Sequence, residues 1–246
     1  MSKTPQILGR LRAAGAVGCL VGAPMLHGAV VINHSTEVAP SGGAVHAPYV
    51  PTTIFGSSTD LIQGLAPTVD PGDTQYEFSS GAAAWTDGSI STVYNQPSPD
   101  GDDVDHASYG TVDNNSVVTY DLGGLFNLTQ IDVIMGWNDS GRDDSSFNAL
   151  VSVDGILFTQ IASYDKGPDN TSAFSTPVTN LHRIIDDGGA PIAAGVQFVQ
   201  LQFTDADNLV AGMIELDVMG VAVPEPGSVG LAGLAGLTLL RRRRRG

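Results

Sequence analysis

Between residues 116 and 219 the chain is a succession of short runs that alternate apolar and polar residues, each closed by Gly, Asn or Asp. A period of two turns one face of a strand inward and leaves the other in water. Residues 116–122 put Val118, Tyr120 and Leu122 on one face, and residues 128–137 put Ile131, Val133, Met135 and Trp137 together. Residues 149–153 and 156–161 flank Asp154-Gly155, a pair that favours a tight hairpin turn. Residues 196–203 align Val199, Leu201 and Phe203, while residues 213–219 turn Ile214, Leu216 and Val218 inward and Glu215 and Asp217 outward. No stretch keeps a helical period over three turns. The predicted fold is all-β, a sandwich of short strands.

Both ends depart from this pattern. Lys3, Arg10 and Arg12 precede an apolar run at 13–26, and the small residues Gly28 and Ala29 follow. That order predicts an export signal peptide over residues 1–29. At the other end Val223-Pro224-Glu225-Pro226 leads into an apolar run at 228–240 and five arginines, Arg241, Arg242, Arg243, Arg244 and Arg245. The run would rise about 20 Å as a helix, short of the roughly 30 Å hydrocarbon core. Gly230, Gly233 and Gly236 weaken it further. Arginines stay on the cytoplasmic side and stop export there. A Pro-Glu-Pro hinge, a short apolar helix and a basic stop read as a processing signal with transient inner-membrane contact. The predicted organisation is a leader at 1–29, a first strand or lead-in at 30–75, a sandwich at 76–221 and a sorting tail at 222–246.

Charge narrows the partners. Of 11 basic residues only Arg142, Lys166 and Arg183 lie outside the two terminal signals, against 26 acids, so the exported piece carries a net charge near −23. Nucleic acid is excluded as a partner, because phosphate recognition needs clustered Lys and Arg. Such acidity keeps an exported protein soluble and self-repelling, and it offers oxygen ligands for hard cations. The single cysteine, Cys19, lies in the leader, so the exported domain has no disulfide. Neither HExxH, GxSxG nor CxxC occurs, and the reading is a protein that is not an enzyme.

The tail from Val223 to Gly246 resembles the PEP-CTERM sorting signal of Gram-negative bacteria: motif, apolar run and arginine cluster follow in order. The resemblance implies Sec export, recognition by an exosortase (a membrane cysteine transpeptidase), cleavage near Pro224, Glu225 and Pro226, and delivery to the cell surface or a biofilm matrix.

A second resemblance covers residues 85–220. Trp85-Thr86-Asp87-Gly88 with Thr92, then Tyr120-Asp121-Leu122-Gly123, then Ser152-Val153-Asp154-Gly155 with Phe158, and finally Ile214-Glu215-Leu216-Asp217-Val218 stand in that order. Together they resemble the galactose-binding-like jelly roll, the discoidin or coagulation-factor type C domain. The acidic insert at 99–113 and the lack of a terminal cysteine pair depart from it. The resemblance implies a structural Ca²⁺ held by Asp87, Thr92 and Glu215, with carbonyls of Thr86, Ser89 and Ile214 adding ligands. A plain turn is the alternative. It also implies ligand binding on loops at one end of the sandwich. Trp137, Asn138, Asp139 and Arg142 have the side chains for that work, an aromatic face for a sugar ring and hydrogen-bonding groups for its hydroxyls. Trp137 also fits as core, and Arg142 as a partner of Asp139 or Asp143. Asp100, Asp102, Asp103 and Asp105 form a second acidic stretch without the EF-hand spacing. The expected function is non-catalytic binding of extracellular polysaccharide. A structural coat protein is the alternative and a matrix-glycan hydrolase the third reading.

Overall fold

One strand organises the molecule. β4 (Val117–Trp137) is 21 residues long, and its two halves belong to different layers. The sequence predicts two strands here. The chain runs through both without a break and turns at Gly123, whose φ of +72° is open to glycine at no steric cost. The pairing with β8 slips between Asp121 and Phe126, the same place. This computed structural model describes residues 28–40, 49–71, 74–76, 79–90, 109–137, 141–168 and 176–224.

The other strands are β1 (Val30–Val38), β2 (Thr68–Asp70), β3 (Gly110–Asp113), β5 (Ser145–Ser152), β6 (Thr159–Tyr164), β7 (Val178–Asp186), β8 (Ala193–Ala206) and β9 (Val210–Ala222). The first half of β4 lies between β2 and β8, and β8 carries β5 and then β6. The second half lies between β7 and β9, with β1 beyond β7 and β3 beyond β9. All pairings are antiparallel, so a five-stranded layer faces a second five-stranded layer and β4 is shared. The all-β sandwich read from the sequence is the fold.

The core between the layers is built from the alternating residues: Val118, Tyr120 and Leu122, then Ile131, Val133 and Met135, with Val199, Leu201, Phe203, Leu216 and Val218. A second apolar cluster covers the outer face of the β7–β4–β9 layer. There Ile54, Tyr109 and Ile90 pack on Ile134, Trp137, Leu181 and Ile214.

β1 pairs with β7 along nine residues, so the first strand of the 30–75 segment joins the sandwich directly. Three expectations are corrected. Asp154-Gly155 does not close a two-residue turn: the strands end at Ser152 and resume at Thr159, and the Asp154 carboxylate accepts the amides of Ile156 and Leu157 to shape a wider loop. Ile214 does not share the core with Leu216 and Val218. A bulge pairs Ile134 with Glu215 and Met135 with Met213, leaving Ile214 unmatched and in the outer cluster. Glu215 and Asp217 do point away from the core but are not in water, because residues 54–62 and 86–90 lie over them.

Candidate functional site

Two polar constellations stand out among the described residues. The first lies under the cover of the β7–β4–β9 layer. Glu215 and Asp217, two apart on β9, share its outer face and are 0% and 1% exposed. Gly88 donates its amide to Glu215 Oε2 at 3.0 Å and Ser57 donates its amide to Asp217 Oδ2 at 2.9 Å. Gly88 holds φ at +78°, a turn that glycine supports without strain. Asp60 Oδ1 accepts the amide of Ile62 at 2.9 Å. The second oxygen of each acid, Glu215 Oε1, Asp217 Oδ1 and Asp60 Oδ2, is buried without a hydrogen-bond partner. Asp87 reaches the same cluster from the outside, its Oδ1 taken by the Ser89 amide at 2.7 Å.

Carboxylates packed this way oppose their own ionisation. Burial, then the charges of Asp217, Asp87 and Asp60, push Glu215 up to about 9, against partial relief from the Gly88 amide. Burial pushes Asp217 up to about 7, with the charges of Asp60 and Asp132 adding and the Ser57 amide and Arg183 opposing. Burial also raises Asp87. The adjacent Asp132 is paired with Arg183, which donates Nη2 to Oδ2 at 2.7 Å and Nε to Oδ1 at 2.9 Å. Three buried oxygens without donors are a demand that a proton or a hard cation would meet.

The second constellation is a cavity of about 220 Å³ where β6 and β8 end and β5 and β7 begin. His34 and Thr36 of β1, Asn180 of β7, Tyr164 and Lys166 at the end of β6, and Asp143 and Asp144 of the 141–144 segment line it. Behind this lining His182 of β7 is fully buried and its Nε2 lies 2.8 Å from Asp144 Oδ1, while Tyr164 donates its hydroxyl to Asp144 Oδ2 at 2.9 Å. His182 Nδ1 is buried with no hydrogen-bond partner. The His34 ring stacks on His182 with centroids 4.8 Å apart and 11° between planes. His34 itself is exposed.

The site residues read from the sequence divide between these places. Asp87 and Glu215 come together. Thr92, Asn138 and Asp139 lie outside the described residues, as do Asp100, Asp102, Asp103 and Asp105 and the tail beyond Pro224. The Thr86 carbonyl is already occupied by the Gly64 amide and the Gln63 side chain, and so does not turn toward the acids. Trp137 is 2% exposed and packs on Tyr109 at 4.6 Å, which corrects its role: no face is left for a sugar ring. Arg142 lies apart from the cavity lining. Its guanidinium lies 4.8 Å over the Tyr76 ring and 5.7 Å from Trp137, away from the cavity that its neighbours Asp143 and Asp144 line. Sequence reading missed Asp60, Asp217, His34, His182, Asn180 and Tyr164. Polar residues at inward positions of β1 and β7, where His34 and His182 interrupt Val30, Ile32 and Ile184, are the signal that marks the cavity.

The chain leaves the sandwich at the opposite end. Val223 donates its amide to the Leu125 carbonyl, beside the β4 turn. Residues 222–245 match the PEP-CTERM protein-sorting motif. This PEP-CTERM tail marks the chain for export and surface sorting. A search of curated proteins finds no sequence match. Among solved structures, the chain is similar to a chitosan-binding module of a chitosanase/glucanase from Paenibacillus sp. IK-5, at 15% identity over 66% of this chain and 99% of that one, with a TM-score of 0.42. It is similar to the module CBM32-5 from Clostridium perfringens, solved with GalNAc-β-1,3-galactose, at 16% identity over 62% and 93%, with a TM-score of 0.40. The lectin domain of lectinolysin, complexed with Lewis B antigen, gives 16% over 67% and 99%, with a TM-score of 0.38. Similarity at this level leaves function to be argued from the residues of this chain.

Proposed function

We propose that this protein is a non-catalytic glycan-binding module of the cell surface or extracellular matrix, exported by the Sec route, processed by an exosortase at its PEP-CTERM tail, and holding extracellular polysaccharide in the cavity at the far end of the sandwich. The observation that carries the reading is the position and make-up of that cavity. It lies at the end away from the emerging tail, so it faces outward while the tail engages the membrane. Its volume suits a single sugar ring and is below the range of sites for drug-sized ligands. The exposed His34 ring offers a flat surface, and Asn180, Thr36 and Asp143 offer planar or hydroxyl groups that pair with sugar hydroxyls. Asp143, Asp144 and Asp207 face a single Lys166 there, which favours neutral or basic sugars over uronic acids.

The acidic cluster completes the reading as a structural Ca²⁺ site. Asp60, Asp87, Glu215 and Asp217 would hold the ion, which would neutralise the buried charge and pin residues 54–62 and 86–90 to β9 where no disulfide is present. A hydrolase reading gains nothing from Glu215 and Asp217, because both are sealed from substrate.

A glycan array probed with the exported protein tests this, first with Ca²⁺ and then with chelator. Binding to neutral polysaccharide is expected, and Thr36→Trp, which fills the cavity mouth from an exposed strand position, abolishes it. A folded protein that binds no glycan turns the conclusion to the structural coat protein.

A further inference from the structure

We infer that the cavity also holds a transition-metal cation of the Zn²⁺ class, bound by His34, Asp144 and His182. One donor atom from each of the three lies within 4.8 Å of the other two. Two imidazoles and one carboxylate are borderline ligands that suit Zn²⁺ and its neighbours rather than Ca²⁺. This set is separate from the all-oxygen cluster of Asp60, Glu215 and Asp217 on the outer face of the other side of the layer.

The surroundings hold the donors in place. His182 is wedged between the edge of Phe147, 5.6 Å away, and the ring of Tyr164, 4.0 Å away. The Tyr164 hydroxyl occupies Asp144 Oδ2, while Oδ1 accepts the Ser145 amide at 2.8 Å and faces His182. That is the outer-shell support which orients a ligating carboxylate. Thr36 Oγ1 and Asn180 Oδ1 lie 3.2 and 3.4 Å from His34 Nε2. His182 Nε2 meets Asp144 Oδ1 at 2.8 Å, while the buried Nδ1 of the same ring has no hydrogen-bond partner and is the atom left to account for. Charge favours a cation as well. Asp143, Asp144 and Asp207 line the cavity against Lys166 alone, and the Lys166 ammonium is drawn to Asp205 at 3.5 Å and to the Gly167 carbonyl at 3.2 Å.

One adjustment is needed. Parallel stacked rings do not aim two nitrogens at one point, so the His34 ring must turn. It sits exposed on the edge strand β1, where a change of side-chain torsion is inexpensive. Three protein ligands leave a fourth position open to the cavity, as in zinc sites that take an exogenous oxygen. Resting on the glycan reading, that position would receive a sugar hydroxyl or carboxylate and widen the ligand class to acidic sugars.

The test is titration of the full exported protein, saturated with Ca²⁺ and free of glycan, with Zn²⁺ and with Co²⁺. One saturable equivalent is expected, with Co²⁺ giving visible ligand-field bands and Zn²⁺ shifting the ring-nitrogen resonances of His34 and His182. His34→Ala, at an exposed position, should weaken the metal by at least about tenfold, with the Ca²⁺-dependent melting temperature unchanged. No saturable binding, unaltered binding in His34→Ala, or shifts confined to His46 or His106 would overturn the proposal. Glycan binding measured separately in chelator keeps the two readings apart: a metal without a sugar leaves this inference standing and removes the glycan function, and a sugar without a metal does the reverse.

Discussion

Glu215 accepts the amide of Gly88 across 127 residues of sequence, and its other oxygen is buried with no partner. The cover over the β7–β4–β9 layer is therefore fastened to an acid that resists ionising. Burial and neighbouring acids raise Glu215 from 4.5 to about 9 and Asp217 from 3.8 to about 7. A carboxyl raised in the folded state binds more protons folded than unfolded between those values, so stability falls as pH rises through that window. The metal-free protein should be most stable near pH 4 to 5 and should lose melting temperature steadily toward pH 9. Ca²⁺ should reverse the slope, and calorimetry with and without chelator reads both. A flat pH profile in chelator would count against the cluster.

Glu215→Gln removes one charge while keeping the shape. The metal-free variant should be more stable than the parent at pH 8, and Ca²⁺ should stabilise it far less. Denaturant unfolding at fixed pH, with and without Ca²⁺, measures this crossover.

Arg183 neutralises Asp132, which is 1% exposed, through two charge-assisted bonds. Arg183→Met strands a buried carboxylate and should cost about 3 kcal/mol, the low end of the usual range because the Arg183 side chain is 40% exposed. Adding Asp132→Asn should recover most of that loss. Urea unfolding of the single and double variants gives the comparison.

Glu37 anchors the other end of the cover. It accepts the Tyr49 hydroxyl at 2.5 Å, the Thr52 amide and hydroxyl at 2.6 and 2.9 Å, and the Thr53 amide and hydroxyl at 2.8 and 2.5 Å. Partial burial opposes its ionisation, but these donors outweigh it and hold the carboxyl below its usual range. A lowered carboxyl contributes stability above its unfolded value, which drains away as pH falls. Protection factors of the Thr52 and Thr53 amides should fall below about pH 4.5, and at neutral pH in Glu37→Ala. Hydrogen exchange followed by NMR tests both.

Trp137 and Arg142 should behave as framework. Trp137→Ala should cost about 3–5 kcal/mol, as for other buried aromatics. Arg142→Ala should leave glycan affinity unchanged while loosening Tyr76. Chemical denaturation and array binding separate these effects, and a loss of sugar affinity in a fully folded Arg142→Ala would restore that loop as a binding surface.

By itself the sequence determined the strands whose inward faces are uniformly apolar. Val118, Tyr120 and Leu122, or Ile131, Val133 and Met135, declare their face because burial by a period of two leaves a one-dimensional trace. It determined the sorting tail for a similar reason, since hinge, apolar run and arginines act in linear order. It paired Asp87 with Glu215 only through resemblance, because nothing local links residues on a loop and a distant strand. Only the tertiary structure decided that Asp60 and Asp217 join them, that Trp137 is walled in, and that His34, Asp144 and His182 come together. These are contacts between strands far apart in the chain. A polar residue turned inward looks the same in sequence whether it meets water, a partner or an open cavity, and only the packing of the layers decides which.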